Sequence, residues 1–148
     1  MPESSFIYQL NKIYCCQTHI FERLSEISDD PCFADVSTEI SLTLLELEKH
    51  IAATEEIYLY LKFSYSFDAH VDLVFKLEND FYMVQKNSNN KRIRNAALST
   101  YVKLVHSSIV SACHGLLGLP DNRDAKMVGF LRNSVETMLG KNLTKLLS

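Results

Sequence analysis

Near the start of the chain apolar residues recur in alternating steps of four and three: Phe6, Leu10, Ile13, Gln17, Ile20, Leu24 and Ile27, with Gln17 the one polar member. A period averaging 3.5 residues belongs to α-helices packed side by side, and no strand can gather these positions on one face. A helix with one apolar seam gains most of its stability from partners, so the seam demands further helices to lie against. Ser4 or Ser5 can cap its start, and Asp29-Asp30-Pro31 ends it, because proline disfavours helical geometry in the residue before it. The result is a helix of roughly 22 residues, about 33 Å long.

The remainder of the chain supplies those partners. Val36, Ile40, Leu44, Leu47, Ile51, Thr54, Tyr58 and Leu61 keep steps of three and four, with Glu46, Glu48, Lys49, Glu55 and Glu56 as the wet face. Phe63 to Phe67 breaks the pattern and reads as a packed connection, with Ser66 or Asp68 capping the next helix. A shorter, more aromatic segment near 68–85 carries Val71, Val74, Phe75, Glu78, Phe81 and Tyr82. Asn87 to Asn90 is a loop. A long segment from about Lys91 to Leu117 then turns Leu98, Tyr101, Val105, Ile109, Ala112 and Leu116 inward, stopped by Gly118 and Pro120. The last segment begins near Asp121 or Asn122 and carries Val128, Leu131, Val135, Met138, Asn142 and Leu146. Four glycines and three prolines in 148 residues are too few for the many tight turns of an all-β fold. The expected architecture is all-α: one domain over 1–148, an up-down bundle of four long helices plus one short one.

Charge and composition exclude several function classes. The net charge is −3, whereas a protein bound to a nucleic-acid backbone has to neutralise phosphates. The short basic cluster Lys91, Arg92 and Arg94 is either a phosphate contact or a solvated helix start. No stretch reaches the roughly 18 apolar residues of a membrane span. The first residues lack the basic start of a secretion signal, and Cys15, Cys16, Cys32 and Cys113 form no C-x-x-C pair, which suits small buried hydrophobes in a reducing cytoplasm.

Bundles build sites in their interiors, so polar residues on the apolar stripes are the candidates. Gln17 lies on the first stripe, and His50 lies beside the second with Glu46 one turn earlier and Thr54 one turn later. Tyr101, His106, Ser108 and His114 fall on or near the inner face of the fourth segment, and Asn142 and Glu136 near the last stripe. These groups either line a ligand or metal pocket or hydrogen-bond one another and fix helix register. Zinc would need three or four of Glu46, His50, His106 and His114 to converge.

Several local matches resemble the ferritin-like bacterial proteins of the YciE/YciF type, a stress-associated family. Ile13-Tyr14 with Gln17 is similar to that family's first-helix Leu-Tyr-x-x-Glu, and His50 with Thr54 to its His-x-x-x-Thr. Asn95-Ala96-Ala97-Leu98 with Lys103 to His106 and Ile109 resembles its third long helix, and Leu143-Thr144-Lys145-Leu146 its final Leu-Thr-x-Leu. The resemblance implies a ferritin-like bundle and a site at Gln17, His50, Thr54 and His106. Di-iron sites, however, need carboxylates from four helices together with Glu-x-x-His pairs. Here Gln17 is neutral, Lys103 precedes His106 by three, and Ala53, Val105 and Ser108 stand where the family places acids. No Glu-x-x-His occurs in the chain. The expectation is therefore a non-catalytic binding or assembly protein with no cofactor and a vestigial metal site. Its partners would be a second copy, joined through Phe63, Tyr65, Phe67, Phe81 and Tyr82, or another protein or small ligand, with neither nucleic acid nor membrane. The alternative is a metal-binding oxidoreductase or storage protein with an atypical di-iron-like or zinc site.

Overall fold

The computed structural model describes residues 5–117, and every regular element among them is helical. Helix α1 spans Ser5–Ile27, α2 Ser37–Leu61, α3 Val71–Lys86 and α4 Lys91–Leu117, with short 3-10 segments at Pro31–Val36, kinked at Phe33, and Asp68–His70. The helical bundle and the order long, long, short, long agree with the periodicity. Five helices were expected from the sequence against four among the described residues, because the segment from Asp121 onward lies outside them.

The helix ends follow local chemistry. Asp30 accepts a hydrogen bond from the Cys32 amide at 2.9 Å and starts the first 3-10 turn, with Pro31 just inside it. Ser66 accepts from the Asp68 amide at 3.3 Å, but the second 3-10 turn has Phe67 at its N-cap and α3 has His70, neither with a side-chain cap, so neither Ser66 nor Asp68 caps α3, which begins only at Val71. Asn90 caps α4, its side chain accepting from the Ile93 amide at 3.3 Å. At the end of α2, Lys62 takes the left-handed conformation (φ 55°) that glycine usually supplies, closing the helix through its amide to Leu59 and Tyr58.

Side-chain contacts fix the topology. Tyr14 donates to Glu55 at 2.8 Å and Tyr58 donates to Asn11, so α1 and α2 run antiparallel. Gln9 lies against Gly115 and Cys16 meets Ser108, so α1 and α4 are antiparallel as well. His70 donates to the Tyr8 carbonyl at 3.0 Å and His19 meets Glu78, which makes α3 parallel to α1. The chain thus goes up, down, up, down, with α4 against both α1 and α3 and α2 against α1.

Helix α1 is consequently the centre of the described bundle. From Leu10 to Ile20 all residues but Lys12 and Thr18 are buried, including Gln17 on the seam and Asn11 and His19, which a one-seam helix would leave at the edge or in water. The main core joins Ile13, Ile20 and Leu24 to Leu77, Phe81, Leu98, Tyr101 and Val105. A second cluster of Leu10, Tyr14, Ile57 and Tyr58 is covered by Tyr65 and Phe67, whose rings lie 4.9 and 6.0 Å from Tyr14. The expectation of a packed connection at residues 63–67 holds only in part: Tyr65 and Phe67 turn onto Tyr14, while Phe63 to Ser66 are exposed. Among the described residues no helix is long and apolar enough to cross a membrane.

Arg94 departs from both readings of the basic cluster. It is among the largest fully buried side chains, its guanidinium 4.8 Å from the Phe33 ring centre, hydrogen-bonded to the Cys32 carbonyl and at 2.6 Å to Asp35. Burial pushes the Asp35 carboxyl up, but the hydrogen bond and charge of Arg94, helped by Lys91, outweigh this and hold it below the ordinary carboxylate range.

Candidate functional site

The register of α1 on α2 decides which of the expected site residues meet. Three residues up α1 from Tyr14 is Gln17, and three residues down α2 from Glu55 is Ala52, inside the turn that holds His50 and Thr54. Gln17, His50 and Thr54 therefore share one height in the bundle. Gln17 makes no side-chain hydrogen bond to either of the others. Thr54 donates its hydroxyl to the His50 carbonyl at 3.0 Å, the usual back-bond of a helical threonine. Gln17 is completely buried, yet neither its amide nitrogen nor its amide oxygen has a hydrogen-bond partner. His50 is half-buried; burial lowers its pKa, with Glu46 opposing the shift and Lys49 adding to it. His106 and His114 are exposed on α4. Among the described residues no three His, Cys, Asp or Glu side chains are grouped to hold a metal, so Glu46, His50, His106 and His114 do not gather into a zinc-type cluster. Asn142 and Glu136 lie outside the described residues.

A different constellation joins three helices. His19 of α1 is buried, with Nδ1 2.7 Å from the Tyr101 hydroxyl on α4 and Nε2 2.8 Å from Glu78 Oε1 on α3. Arg23, one turn along α1, reaches the same Glu78 oxygen at 3.4 Å and also binds Glu26. Tyr101 packs edge-on to Phe81, with ring centres 5.1 Å apart. The heptad stripe hides this group, since His19 falls on the face opposite the seam. The signal was a second row, Tyr8, Lys12, Cys15, His19 and Arg23, stepping by three and four along the opposite face toward α3.

The electrostatics assign the protons. Burial lowers the His19 pKa, and the hydrogen bond and charge of Glu78 only partly offset it, so the ring is neutral. In the one tautomer that satisfies every atom, Nε2–H donates to Glu78 and Nδ1 accepts the Tyr101 O–H. Burial raises Tyr101 above its ordinary range. Burial also pushes the Cys15 thiol to about 11 and the Cys16 and Cys113 thiols to about 12, which makes them protonated small hydrophobes and not nucleophiles. A tyrosine, histidine and carboxylate in line can relay a proton in an open site. Here Tyr101 is sealed in the core, so the group ties α1, α3 and α4 together.

That tie is expected to make stability depend on pH. A histidine whose folded pKa lies below its unfolded value, near 6.5, takes up its proton in the unfolded chain first. Its contribution is complete above that pH and is lost as pH falls toward the folded pKa, by up to about 1.4 kcal/mol per pH unit for one proton. Urea midpoints measured from pH 7.5 to 5 should fall for the wild type, and His19→Gln should flatten the profile, with His50→Gln removing a smaller share. Parallel wild-type and His19→Gln profiles would contradict the assignment.

Comparison with protein-family models, with curated proteins and with solved structures finds no significant match for this chain.

Proposed function

We propose that this chain is a ferritin-like helical bundle without a di-iron centre that acts by binding or assembly, not by catalysis. The observation that carries the reading is the outer face of α3. Val71, Phe75, Tyr82 and Met83 all point to solvent there, with Phe75 65% and Tyr82 59% exposed. Scattered surface apolar residues need no explanation, but a phenylalanine and a tyrosine two turns apart on one helix face form a patch of the kind found at interfaces. Helix α2 also exposes Leu42, Leu45 and Leu59, yet Lys49 and Glu56 lie in the same row and break it. On α3 Asn79 and Glu78 fall within the row, and Glu78 is engaged by His19 and Arg23 of α1. Of the residues expected on the association face, Phe81 is instead 1% exposed and packed on Tyr101, and Phe67 lies against Tyr14; Phe63, Tyr65 and Tyr82 stay exposed, and of these only Tyr82 shares a helix face with a second exposed aromatic ring, Phe75. The interior supports the non-catalytic part of the reading, because His19, Tyr101 and Glu78 satisfy one another and the buried thiols are protonated.

The test is a photo-crosslinking amino acid placed at Phe75 in cells making the protein, with Glu48 on α2 as the exposed control position. A discrete covalent adduct from position 75 and none from position 48 is expected. Irradiation that yields no adduct from position 75, or equal adducts from both, would remove the basis for assigning α3 as the working surface.

A further inference from the structure

Resting on that reading of α3, we infer that its occupant is a second copy of this chain, with the two α3 helices packed antiparallel about a twofold axis at Asn79. The charge pattern of the helix selects this arrangement. Asp72 lies in the first turn of α3 and Lys86 in the last, and both are exposed on the same side as Phe75 and Asn79. Parallel pairing would set Asp72 against the partner's Asp72 and Lys86 against the partner's Lys86, repelling at both ends. Antiparallel pairing sets Asp72 against the partner's Lys86 twice over, so the face is self-complementary as a closed dimer requires.

The same register works for the uncharged positions. With Asn79 on the axis, Phe75 meets the partner's Tyr82, and the pair occurs twice. Aromatic residues at the centre of an interface are the usual energetic anchors. Asn79, a polar break in the apolar row, then faces the partner's Asn79, where two amides can exchange hydrogen bonds. A single asparagine in a helix–helix seam fixes register at some cost in affinity. Opposed helix directions also set each macrodipole favourably against the other. A helix of 16 residues is about 24 Å long and offers one face, so the contact belongs to the smaller, weaker interface class.

Sedimentation or light scattering over about 1 μM to 1 mM, a range that covers weak association, should show a monomer–dimer equilibrium. Phe75→Asp should shift it to monomer at all concentrations with unchanged far-UV circular dichroism, since the side chain is exposed and its loss leaves the fold intact. Asp72→Lys and Lys86→Asp should each weaken the dimer several-fold, and the protein carrying both changes should recover it, because the charges are exchanged and not lost. In a Cys32→Ser background, which removes the exposed thiol, Asn79→Cys should form a disulfide-linked dimer on mild oxidation, whereas Glu48→Cys should not. A monomer throughout the concentration range overturns the twofold pairing. So does a dimer that Phe75→Asp leaves intact, or one in which Asn79→Cys fails to cross-link. A position-75 adduct to a different protein from a strictly monomeric chain would sink the pairing while leaving α3 as the binding face. Absence of both adduct and α3-dependent dimer would sink the two together.

Discussion

Replacing Arg94 with alanine is expected to destabilise the protein by about 3 kcal/mol, the largest loss for any single polar side chain described above. The side chain is fully buried, and it joins the first helix connection to the start of α4 through the Cys32 carbonyl, Asp35 and Asn95. Its removal leaves a carbonyl and a carboxylate without their donor and empties the space over Phe33. Breaking a buried ion pair costs roughly 3 to 5 kcal/mol, and the lower end applies because the Asp35 side chain keeps 23% of its exposure. Arg94→Lys should recover little of this. Lysine keeps the charge but cannot reach three acceptors from one planar fork. The acid limb gives an independent check. Asp35 has a folded pKa below its unfolded value, so its contribution is present above the ordinary carboxylate range and disappears as pH falls through the folded value. The stability gap between wild type and Asp35→Asn should therefore close in acid. A gap that persists at pH 2, or an Arg94→Ala protein within 1 kcal/mol of wild type, would mean that the buried pair is not what holds the turn.

Gln17→Met is expected to act in the opposite direction, raising stability by about 2 kcal/mol and Tm by about 5 °C for a chain of this size. Both amide atoms of Gln17 are buried without partners, and desolvating an unpaired amide costs roughly 1 to 3 kcal/mol. Methionine has a similar length and volume and no polar group to desolvate. Gln17→Glu should be worse than the wild type above pH 6, since no basic group or donor meets the amide to compensate a carboxylate there. Thermal unfolding of the three proteins side by side measures this directly. If methionine proves destabilising by more than 1 kcal/mol, the amide makes a bond in solution that its surroundings do not show, and the level of Gln17, His50 and Thr54 becomes a binding site after all.

These two residues mark the division between features legible in the sequence and features that were not. Helices α1, α2 and α4 fall where the periodicity, Pro31 and the Asn87–Asn90 loop put them, because each signal acts within a few residues of the bond it makes, while α3 starts at Val71, past the expected caps Ser66 and Asp68. Gln17 stood out as the polar member of a regular stripe, and its burial follows from the stripe. Arg94 could not be read this way. Its partners Cys32 and Asp35 lie about sixty residues earlier in the chain, and a basic run at a helix start looks the same whether it is solvated or folded inward. His19 was missed for a related reason. The seam marks one face of α1, but the helix has neighbours on several sides, so a residue on the opposite face is buried as well.

The sequence by itself determined the all-helical class, the positions of the four described helices and the apolar seams of α1, α2 and α4, since these depend on period and local capping; on α3 the buried row is Leu77, Phe81 and Val84, and not the row of Val71, Phe75 and Tyr82 that the sequence offered. Tertiary structure alone decided that α1 sits at the centre, that His19 meets Tyr101 and Glu78, that Arg94 turns inward, and that Phe81 is core while Phe75 and Tyr82 face solvent. The physical reason is that a 3.6-residue period fixes which residues share a face but not which neighbour covers it. That assignment comes from the register and stacking of helices far apart in the chain, stabilised by long-range burial.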